Sequence, residues 1–450
     1  MKFYHLAIPL LAIPLLIVAA ESPLVAQMEQ VRGAGAEQRT LAPAQRDAAL
    51  DAIAKALPDT YVFPEKVPSI LARFAEQRRA GRYDVADPAV LAERATEDLR
   101  TASGDRHLYL LYNPEQYAAA TTKKAATATP GPDTQGYEQR LATRDHHGLT
   151  ELKILPGNIR YLKLTEFQWV PDVTGTIYDE AMRFLKDGDA VIIDLRGNPG
   201  GSHGAVRYLV SHFMDGDVLE LTFLARGKAP EQSRTLDHVP AGRLTGKPLY
   251  VLIDGGVGSA AEAFAYDVQQ FKLGQLVGTK TAGAANNNDF TPIAPGFMFS
   301  IPTGRPEHAV SHTNWEAVGV SPSVGTPPGQ ALITAQSLAL ARLGETPGLP
   351  RDRRAEYDWA KVAVDAQLHP VSPERAQLQS FVGRYGTNDI TLVDGALSLG
   401  RPDRPPRKLI PLANALFAIE GSDKLRVRFG KNVMETTWMG DPVPRTFPRN

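Results

Sequence analysis

The amino-acid sequence predicts an α/β protein that has a helical region before its core and a small all-β region after it. Apolar residues recur at helical spacing between residues 43 and 101, and buried-strand patterns alternate with helical patterns between residues 150 and 342. Short strand patterns separated by turn residues follow residue 378. A chain of 450 residues, 43% of them hydrophobic, can bury more than one core.

The N-terminus has the pattern of a secretory signal. Met1 and Lys2 precede an apolar run over residues 6–20 that ends in small residues, so we predict a signal peptide over residues 1–20, cleaved after Ala20. Two prolines and a short length disfavour a permanent membrane span, although an uncleaved anchor is the alternative. Residues 21–44 are expected to form a flexible leader. The mature protein is therefore expected to be periplasmic or secreted, without stable membrane insertion.

The helical pattern defines an N-terminal helical domain over residues 45–105, with Ala49, Leu50, Ile53 and Leu57 on one face. The core is expected over residues 106–344, and residues 117–150, rich in Ala, Thr, Pro and Gly, are expected to form a loop or linker at its start. Core strands are predicted over residues 161–164, 190–195, 249–253 and 276–278. Core helices are predicted around 178–185 and 205–214, from 260 onward, and over 330–343.

The remainder of the chain divides in two. Residues 345–371 are predicted to form a linker and a helix. Residues 372–450 are predicted to form a small β-barrel-like domain, with strands at 383–385, 390–393, 396–399, 416–419 and 425–429.

The most informative local pattern is Gly258-Ser259-Ala260-Ala261-Glu262, which lies between a buried strand and an Ala-rich helix. A serine at such a turn lies beside the free N–H groups of the helix N-terminus, where an oxyanion can be stabilised. The pattern predicts a nucleophilic serine. An ordinary helix cap is the alternative.

A second strand, over residues 190–195, ends in a loop that contains Asn198-Pro199-Gly200-Gly201. Adjacent glycines after a buried strand indicate a backbone that another group must approach closely. We predict an oxyanion hole formed by the N–H of Ala260 and one N–H from Gly200 or Gly201; a plain turn is the alternative.

Together these segments resemble the catalytic core of the S41 serine peptidases, the group of tail-specific and tricorn proteases. Further segments resemble motifs of the same group and are, in order, Thr60-Tyr-Val-Phe-Pro64, Gly81-Arg-Tyr-Asp84, Glu97-Asp-Leu-Arg100, Gly104-Asp-Arg-His-Leu-Tyr109, Gly278-Thr-Lys-Thr-Ala-Gly283 and Asn314-Trp-Glu-Ala-Val-Gly-Val-Ser-Pro322. The resemblance covers residues 45 to 342. It implies a ClpP/crotonase-like ββα core, and the C-terminal region is similar to lipocalin-like domains of secreted serine hydrolases.

The group that this chain resembles has two branches, which differ in the residue that serves as catalytic base. Tail-specific proteases carry a dyad lysine directly after a Thr-x-Gly motif, and here Ala284 follows Gly283, while Lys280 occupies a different place. The interval before the core strand is too short for a PDZ domain. The chain is more similar to the branch of tricorn and interphotoreceptor retinoid-binding protein, which implies that His107 is the base and Glu316 the acid behind it. Arg106 stands where tricorn-like enzymes have a helper serine.

Each assignment has an alternative. His203, beside the glycine loop, is a rival base; Glu316 could be a salt-bridge partner; Glu262 is expected to have a structural role at its helix N-terminus. The implied activity is peptide hydrolysis through an acyl-enzyme with a Ser259-His107-Glu316 triad. The alternatives are a binding protein for apolar ligands or peptides on the same scaffold, and a crotonase-like acyl-CoA enzyme, which the secretory signal disfavours.

Composition limits the partners. The formal net charge of −1 gives no electrostatic attraction to nucleic acid, so a peptide or protein substrate is expected. The chain has no cysteine, and no metal-ligand spacing or phosphate-binding loop is present, so no metal or cofactor is expected. The oligomeric state is left open, with a homo-oligomer as one alternative.

Overall fold

The computed structural model describes residues 40–125, 132–402, 404–441 and 443–450. The predicted signal peptide and all but the last residues of the predicted leader lie outside these ranges. Within them, no helix has both the length and the apolar character that a membrane crossing requires.

Helices lie before, between and after the strands of the core. They are α1 (Pro43–Thr60), α2 (Val67–Arg79), α3 (Pro88–Ser103), α4 (Pro114–Ala125), α5 (Pro132–Arg144), α6 (Thr174–Lys186), α7 (His203–Val210), α8 (Ser259–Gln270), α9 (Ala331–Gly344), α10 (Arg351–Leu368) and α11 (Arg375–Phe381). Short 3₁₀ turns lie at Pro64–Lys66, His146–Gly148 and Pro328–Gln330.

The first eleven strands form two sheets. They are β1 (Tyr109–Tyr112), β2 (Leu149–Leu155), β3 (Ile159–Leu164), β4 (Ala190–Asp194), β5 (Leu219–Ala225), β6 (Glu231–Arg234), β7 (Leu249–Ile253), β8 (Gln275–Gly278), β9 (Asn287–Ile293), β10 (Phe297–His308) and β11 (Val324–Gly325).

The central sheet has the order β11-β8-β7-β4-β3-β2, and all its pairs are parallel except β2 with β3. Alternate side chains of one strand enter different cores: Val191 and Ile193 pack with α6, α7 and α8, whereas Ile192 packs with α9 and α10. Helices therefore cover both faces, which explains why the parallel strands read as continuous apolar runs. The predicted α/β core is confirmed.

The second sheet surrounds the long strand β10. Its first part pairs with β1, its end pairs with β5, and β9 pairs along it. The apolar residues Phe297, Phe299 and Ile301 of β10 pack among the N-terminal helices in one shared core. The sequence patterns did not predict this sheet.

Residues 117–150 were expected to form a loop, and this expectation is wrong for the described part. They contain most of α4 and all of α5, and β2 begins at Leu149. Each of the two helices begins with a proline, which is favourable at the first helical position. The Ala-rich composition that suggested a linker is equally a composition of high helix propensity.

The chain after α11 is all-β, as predicted for the C-terminal region. In the described parts of this region, eight strands pair in chain order: β12 (Gly383–Tyr385), β13 (Asn388–Val393), β14 (Ala396–Arg401), β15 (Arg404–Ala413), β16 (Leu416–Ile419), β17 (Ser422–Gly430), β18 (Val433–Trp438) and β19 (Arg445–Pro448). A bridge between Tyr385 and Arg449 brings the first and last strands together, so the sheet nearly closes into a barrel. The barrel contacts α10 through Arg426, whose guanidinium lies 3.9 Å from the ring centroid of Trp359.

Candidate active site

The central sheet brings the two sequence-predicted loops side by side. Strands β4 and β7 are parallel neighbours, so the loops after their carboxyl ends leave the sheet at the same edge. The loops are joined directly, because Gly258 N–H donates a 3.0 Å hydrogen bond to the carbonyl of Asn198. Asn198 is fully buried and anchors the glycine loop through its side chain.

Ser259 occupies a strained turn between β7 and α8. Its φ is +49°, in the left-handed region that a non-glycine residue seldom adopts, while Gly258 before it is extended. The serine side chain is exposed at the start of the helix. Strain of this kind is often retained where it presents a functional side chain.

The glycine loop lies against this turn. A Cβ atom placed on Gly200 would lie 2.7 Å from the Ser259 Cβ and 3.0 Å from the Ala260 nitrogen. A Cβ on Gly201 would lie 2.3 Å from the carbonyl oxygen of Phe167. Both positions therefore require glycine, and Gly200 permits close approach to the serine.

Two backbone N–H groups beside Ser259 have no acceptor among the described residues, those of Ala260 and Gly201. The N–H of Gly200 is different, since it donates to Asn198 Oδ1 at 2.9 Å. Of the predicted oxyanion-hole candidates, Gly200 thus supplies space, whereas Ala260 and Gly201 retain unused donors.

His107 and Glu316 meet although 209 residues separate them. The distance from His107 Nδ1 to Glu316 Oε2 is 3.3 Å, and the side chains are 17% and 10% exposed. The other ring nitrogen of His107, Nε2, has no partner within the described ranges. This arrangement orients the imidazole and leaves Nε2 available for proton transfer.

Glu316 is held as a carboxylate by backbone donors. Ala285 and Asn286 donate to Oε2 at 2.7 and 2.9 Å, and Arg106 N–H donates to Oε1 at 3.1 Å. Burial opposes the charge, but His107 and these N–H groups outweigh it and lower the pKa of Glu316 below its ordinary value. Glu316 therefore remains ionised near neutral pH.

Asp105, which the sequence analysis did not single out, supports the same histidine from its other side. Its carboxylate accepts the backbone N–H of His107 at 2.9 Å, the Tyr61 hydroxyl at 3.1 Å and the Asn286 side-chain amide at 3.1 Å. Burial, and next the charge of Glu316, raise the pKa of Asp105. The Asp-x-His spacing was the available signal, because an Asp side chain commonly bonds the backbone two residues later.

Glu262 joins the serine turn to the loop over residues 281–286. Its fully buried carboxylate accepts hydrogen bonds from Ser259 N–H, Thr281 Oγ1, Gly283 N–H and Ala284 N–H at 2.5–3.0 Å. The same loop supplies two of the three backbone N–H donors of Glu316, those of Ala285 and Asn286. The role of Glu262 is therefore larger than the helix-terminus interaction expected from the sequence.

A cavity of about 260 Å³ collects these groups. Ser259, His107, Gly201 and Ala260 all line it, and so does His203. No hydrogen bond joins Ser259 to His107 among the described residues, which is common before a substrate draws catalytic groups together. Glu316 lies behind His107 rather than in the cavity lining.

Ala284 stands at the position that the sequence motif assigns to a dyad lysine. Ala284 has only a methyl group there and uses its N–H on Glu262, while Lys280 is exposed and does not line the cavity. Arg106 turns its side chain away to the carbonyl of Ala282, at 2.8 Å.

Three side chains at this site carry atoms that can ligate a metal ion. Ligand atoms of Asp105, His107 and Glu316 lie within 4.8 Å of one another. However, both carboxylates already accept several N–H or O–H donors, so this group is arranged to hold a histidine rather than a cation.

Comparison with known proteins agrees with the geometry. The sequence model of peptidase family S41 matches residues 158–325. The model of the N-terminal domain of peptidase S41 in eukaryotic IRBP matches residues 42–142. Together the two regions cover more than half of the chain and include His107 and Ser259. The chain belongs to peptidase family S41.

Individual relatives are distant. A carboxy-terminal-processing protease of Bartonella bacilliformis is 27% identical over 172 residues, which cover 37% of this chain and 38% of that protein. The chloroplastic carboxyl-terminal-processing peptidase 2 of Arabidopsis thaliana is 27% identical over 201 residues, which cover 42% of this chain and 38% of that protein. The chain thus spans well under half the length of these curated relatives.

Two solved structures are similar at low identity. The photosystem II D1 C-terminal processing protease has 15% identity and a TM-score of 0.43, covering 68% of this chain and 99% of that one. The tricorn protease has 13% identity and a TM-score of 0.42, covering 65% of this chain and 37% of that one.

Proposed function

We propose that this protein is a serine peptidase that hydrolyses peptide bonds in peptide or protein substrates through an acyl-enzyme, with Ser259 as nucleophile, His107 as base and Glu316 as orienting acid. One observation carries the proposal: a serine on a strained turn, a glutamate-paired histidine and two unused N–H donors line or border one cavity. Family membership and the names of the curated relatives support it.

The mechanism follows from these positions. His107 Nε2 takes the Ser259 proton as Oγ attacks the scissile carbonyl, and the imidazolium is stabilised by Glu316. The N–H groups of Ala260 and Gly201 stabilise the tetrahedral oxyanion. The imidazolium then protonates the leaving amine, which departs and leaves an ester on Ser259. Water then attacks this ester while His107 takes its proton, and the resulting imidazolium returns a proton to the departing Ser259 oxygen as the acid product is released.

A triad is favoured over a Ser-Lys dyad because no lysine lines the cavity, within the part of the chain that the structure describes. The ionised Glu316 also gives His107 the partner that a base of this type needs. For the cell compartment we propose a secreted or periplasmic setting, which depends on the signal-like pattern of residues 1–20.

The test uses the mature protein with fluorescein-labelled casein and with a peptide mixture read by mass spectrometry. We expect cleavage by wild type, a loss of at least about 1000-fold with Ser259→Ala and a comparable loss with His107→Gln. Circular dichroism and urea unfolding control for folding. Cleavage that survives in Ser259→Ala would refute the proposal, whereas tight peptide or apolar-ligand binding without turnover in wild type would favour the binding-protein alternative.

A further inference from the structure

His203 lines the same cavity beside the glycine loop and is paired with the buried Glu220. His203 Nε2 lies 2.9 Å from Glu220 Oε1 and 2.8 Å from Ser233 Oγ. The His203 side chain is 26% exposed, whereas that of Glu220 is fully buried. The mechanism proposed above uses neither residue.

The buried charge of Glu220 has one cationic partner in the described part of the chain, and that partner is His203. Glu220 Oε2 has no hydrogen-bond partner there. A buried carboxylate is costly unless a positive charge or a proton compensates it. His203 Nε2, at 2.9 Å from Glu220 Oε1, is the group placed to compensate it.

The other groups near Glu220 do not provide a compensating charge. His308 accepts the Val310 N–H through Nδ1, so its Nε2–H donates to Asp267 Oδ1 and the ring is neutral. Burial lowers the pKa of His308 to about 4, in agreement with this assignment. Burial, and next the charge of Glu220, raise the pKa of Asp267. Arg207, one turn after His203 on α7, donates to the carbonyl of Arg234 instead.

His203 can therefore present a positive charge to the cavity. Its Nδ1 has no partner among the described residues, and in an imidazolium this nitrogen is a donor. The His203 ring packs on the apolar Phe223, and no Lys or Arg lines the described cavity. His107, which also lines the cavity, is engaged as the base of the proposed mechanism, so a substrate carboxylate would find its charge-assisted donor at His203.

We propose that His203 is a specificity-determining residue that binds a substrate carboxylate close to the scissile bond. The carboxylate is either an Asp or Glu side chain or the free C-terminus of the peptide. This inference rests on the proposed peptidase function, because it names the substrate class of the same site. Its direct basis is the juxtaposition of a Glu220-paired imidazole and Ser259 in one cavity.

A binding measurement on an inactive variant tests this inference independently of catalysis. Ser259→Ala protein is titrated with fluorescein-labelled octapeptides of alanine and leucine that carry one Glu or one Gln at each position in turn, each as free acid and as C-terminal amide. We expect an approximately tenfold preference for a carboxylate at one position, or for the free acid over the amide. The two arms distinguish a side-chain carboxylate from a terminal one.

The variant Ser259→Ala/His203→Gln tests the residue. Glutamine reaches the position of Nε2 and keeps a donor to Glu220, but it has no charge and no Nδ1 donor. The preference should fall to within about twofold. The control Ser259→Ala/His238→Gln alters an exposed histidine outside the cavity lining and should keep the preference. Glu220→Gln in the same background should weaken it near neutral pH.

Since an imidazolium attracts an anion, titrations repeated at lower pH should show a larger preference with His203 than with His203→Gln. His107, Glu220, Asp267 and His308 face the same region and are common to both variants, so the comparison isolates the contribution of His203. Equal affinity for acidic and neutral peptides, no measurable binding, or a preference retained in His203→Gln would overturn the inference. Loss of Ser259 reactivity in a His203→Gln single variant as complete as in His107→Gln would also overturn it, since His203 would then be the base. Failure of wild type to cleave any peptide while the preference holds would count against the peptidase proposal instead.

Discussion

At the residue scale, two carboxylates hold His107 in different ways. Glu316 contacts the ring at Nδ1, whereas Asp105 accepts the backbone N–H of the same residue. The ring orientation and the chain position are thus fixed separately. Glu316 fixes which ring nitrogen carries the proton, and Asp105 fixes the position of the histidine backbone.

The lowered pKa of Glu316 predicts a pH effect on stability. The unfolded chain binds more protons than the folded chain around the ordinary value of 4.5, so the stability that this carboxylate contributes is present above that pH and is lost as the pH falls through the lower folded value. Urea unfolding of wild type and Glu316→Gln between pH 3 and 7 should show the steeper acid loss in wild type. Parallel curves below pH 4.5 would contradict this account of Glu316.

Gly200 gives a second prediction at this scale. Gly200→Ala would place a methyl group 2.7 Å from the Ser259 Cβ at a φ of +121°, so we expect at least about a 100-fold loss of kcat/KM from disturbed oxyanion geometry. Gly197→Ala is the matched control. It lies in the same loop at a φ of +74° with open space around it, and should cost about 1–2 kcal/mol of stability with activity retained. Equal kinetics for both variants would argue against close packing of the loop on the serine.

At the scale of elements, the loop over residues 281–286 connects the serine turn with the His107–Glu316 pair. Its N–H groups bind Glu262 on one side and Glu316 on the other. A shift of this loop would therefore disturb both parts of the site together.

Glu262→Gln tests this connection. The amide would place an NH₂ group against a loop N–H donor, so unfolding free energy should fall by about 1–3 kcal/mol and turnover should fall with it. Glu356→Gln, on an exposed face of α10, should stay within about 0.5 kcal/mol of wild type with full turnover. Chemical unfolding and peptide-cleavage rates measure both. Wild-type stability in Glu262→Gln would contradict the role of Glu262 in joining the serine turn to the loop over residues 281–286.

The sequence predicted some elements far better than others. Strands β4 and β7 were predictable because they are uninterrupted apolar runs buried on both faces. Strand β10 was missed because Pro302, Gly304 and Pro306 interrupt its pattern. Those residues are tolerated because tertiary pairing with β5 and β9 holds the strand, which local propensity does not reveal.

At the scale of the whole molecule, the N-terminal helical region is linked to the site by a hydrogen bond. Tyr61, just after α1, is fully buried and donates its hydroxyl to Asp105. Burial, and next the charge of Asp105, raise the pKa of this phenol, so it stays a donor. Docking of the helical region therefore bears on the position of His107.

Tyr61→Phe should lower kcat several-fold with little change in KM, and should cost about 1 kcal/mol of stability. Tyr83→Phe is a matched control, because its buried hydroxyl donates to Asp98 in the same helical region and away from the cavity. It should lose similar stability and keep kcat. Steady-state kinetics and urea unfolding distinguish the two. Equal kcat values for both variants would contradict a role for Tyr61 in positioning the histidine.

The site was predictable where its residues carry local motifs. Ser259 was found from a strand–helix turn, and His107 and Glu316 from motifs that resemble the family. Asp105 and Asn286 were not, since 181 residues separate them and only the folded chain brings them together. The partnership of His203 with Glu220 is likewise a product of the second sheet, which the sequence patterns did not reveal.

The most direct test of the central claim is labelling of the mature protein with a fluorophosphonate probe, followed by peptide mass spectrometry. We expect one adduct, on Ser259, that disappears in Ser259→Ala and is strongly reduced in the folded His107→Gln variant. Absence of an adduct on well-folded wild-type protein, or an adduct on Ser259 that persists unchanged without His107, would contradict an activated serine at this site.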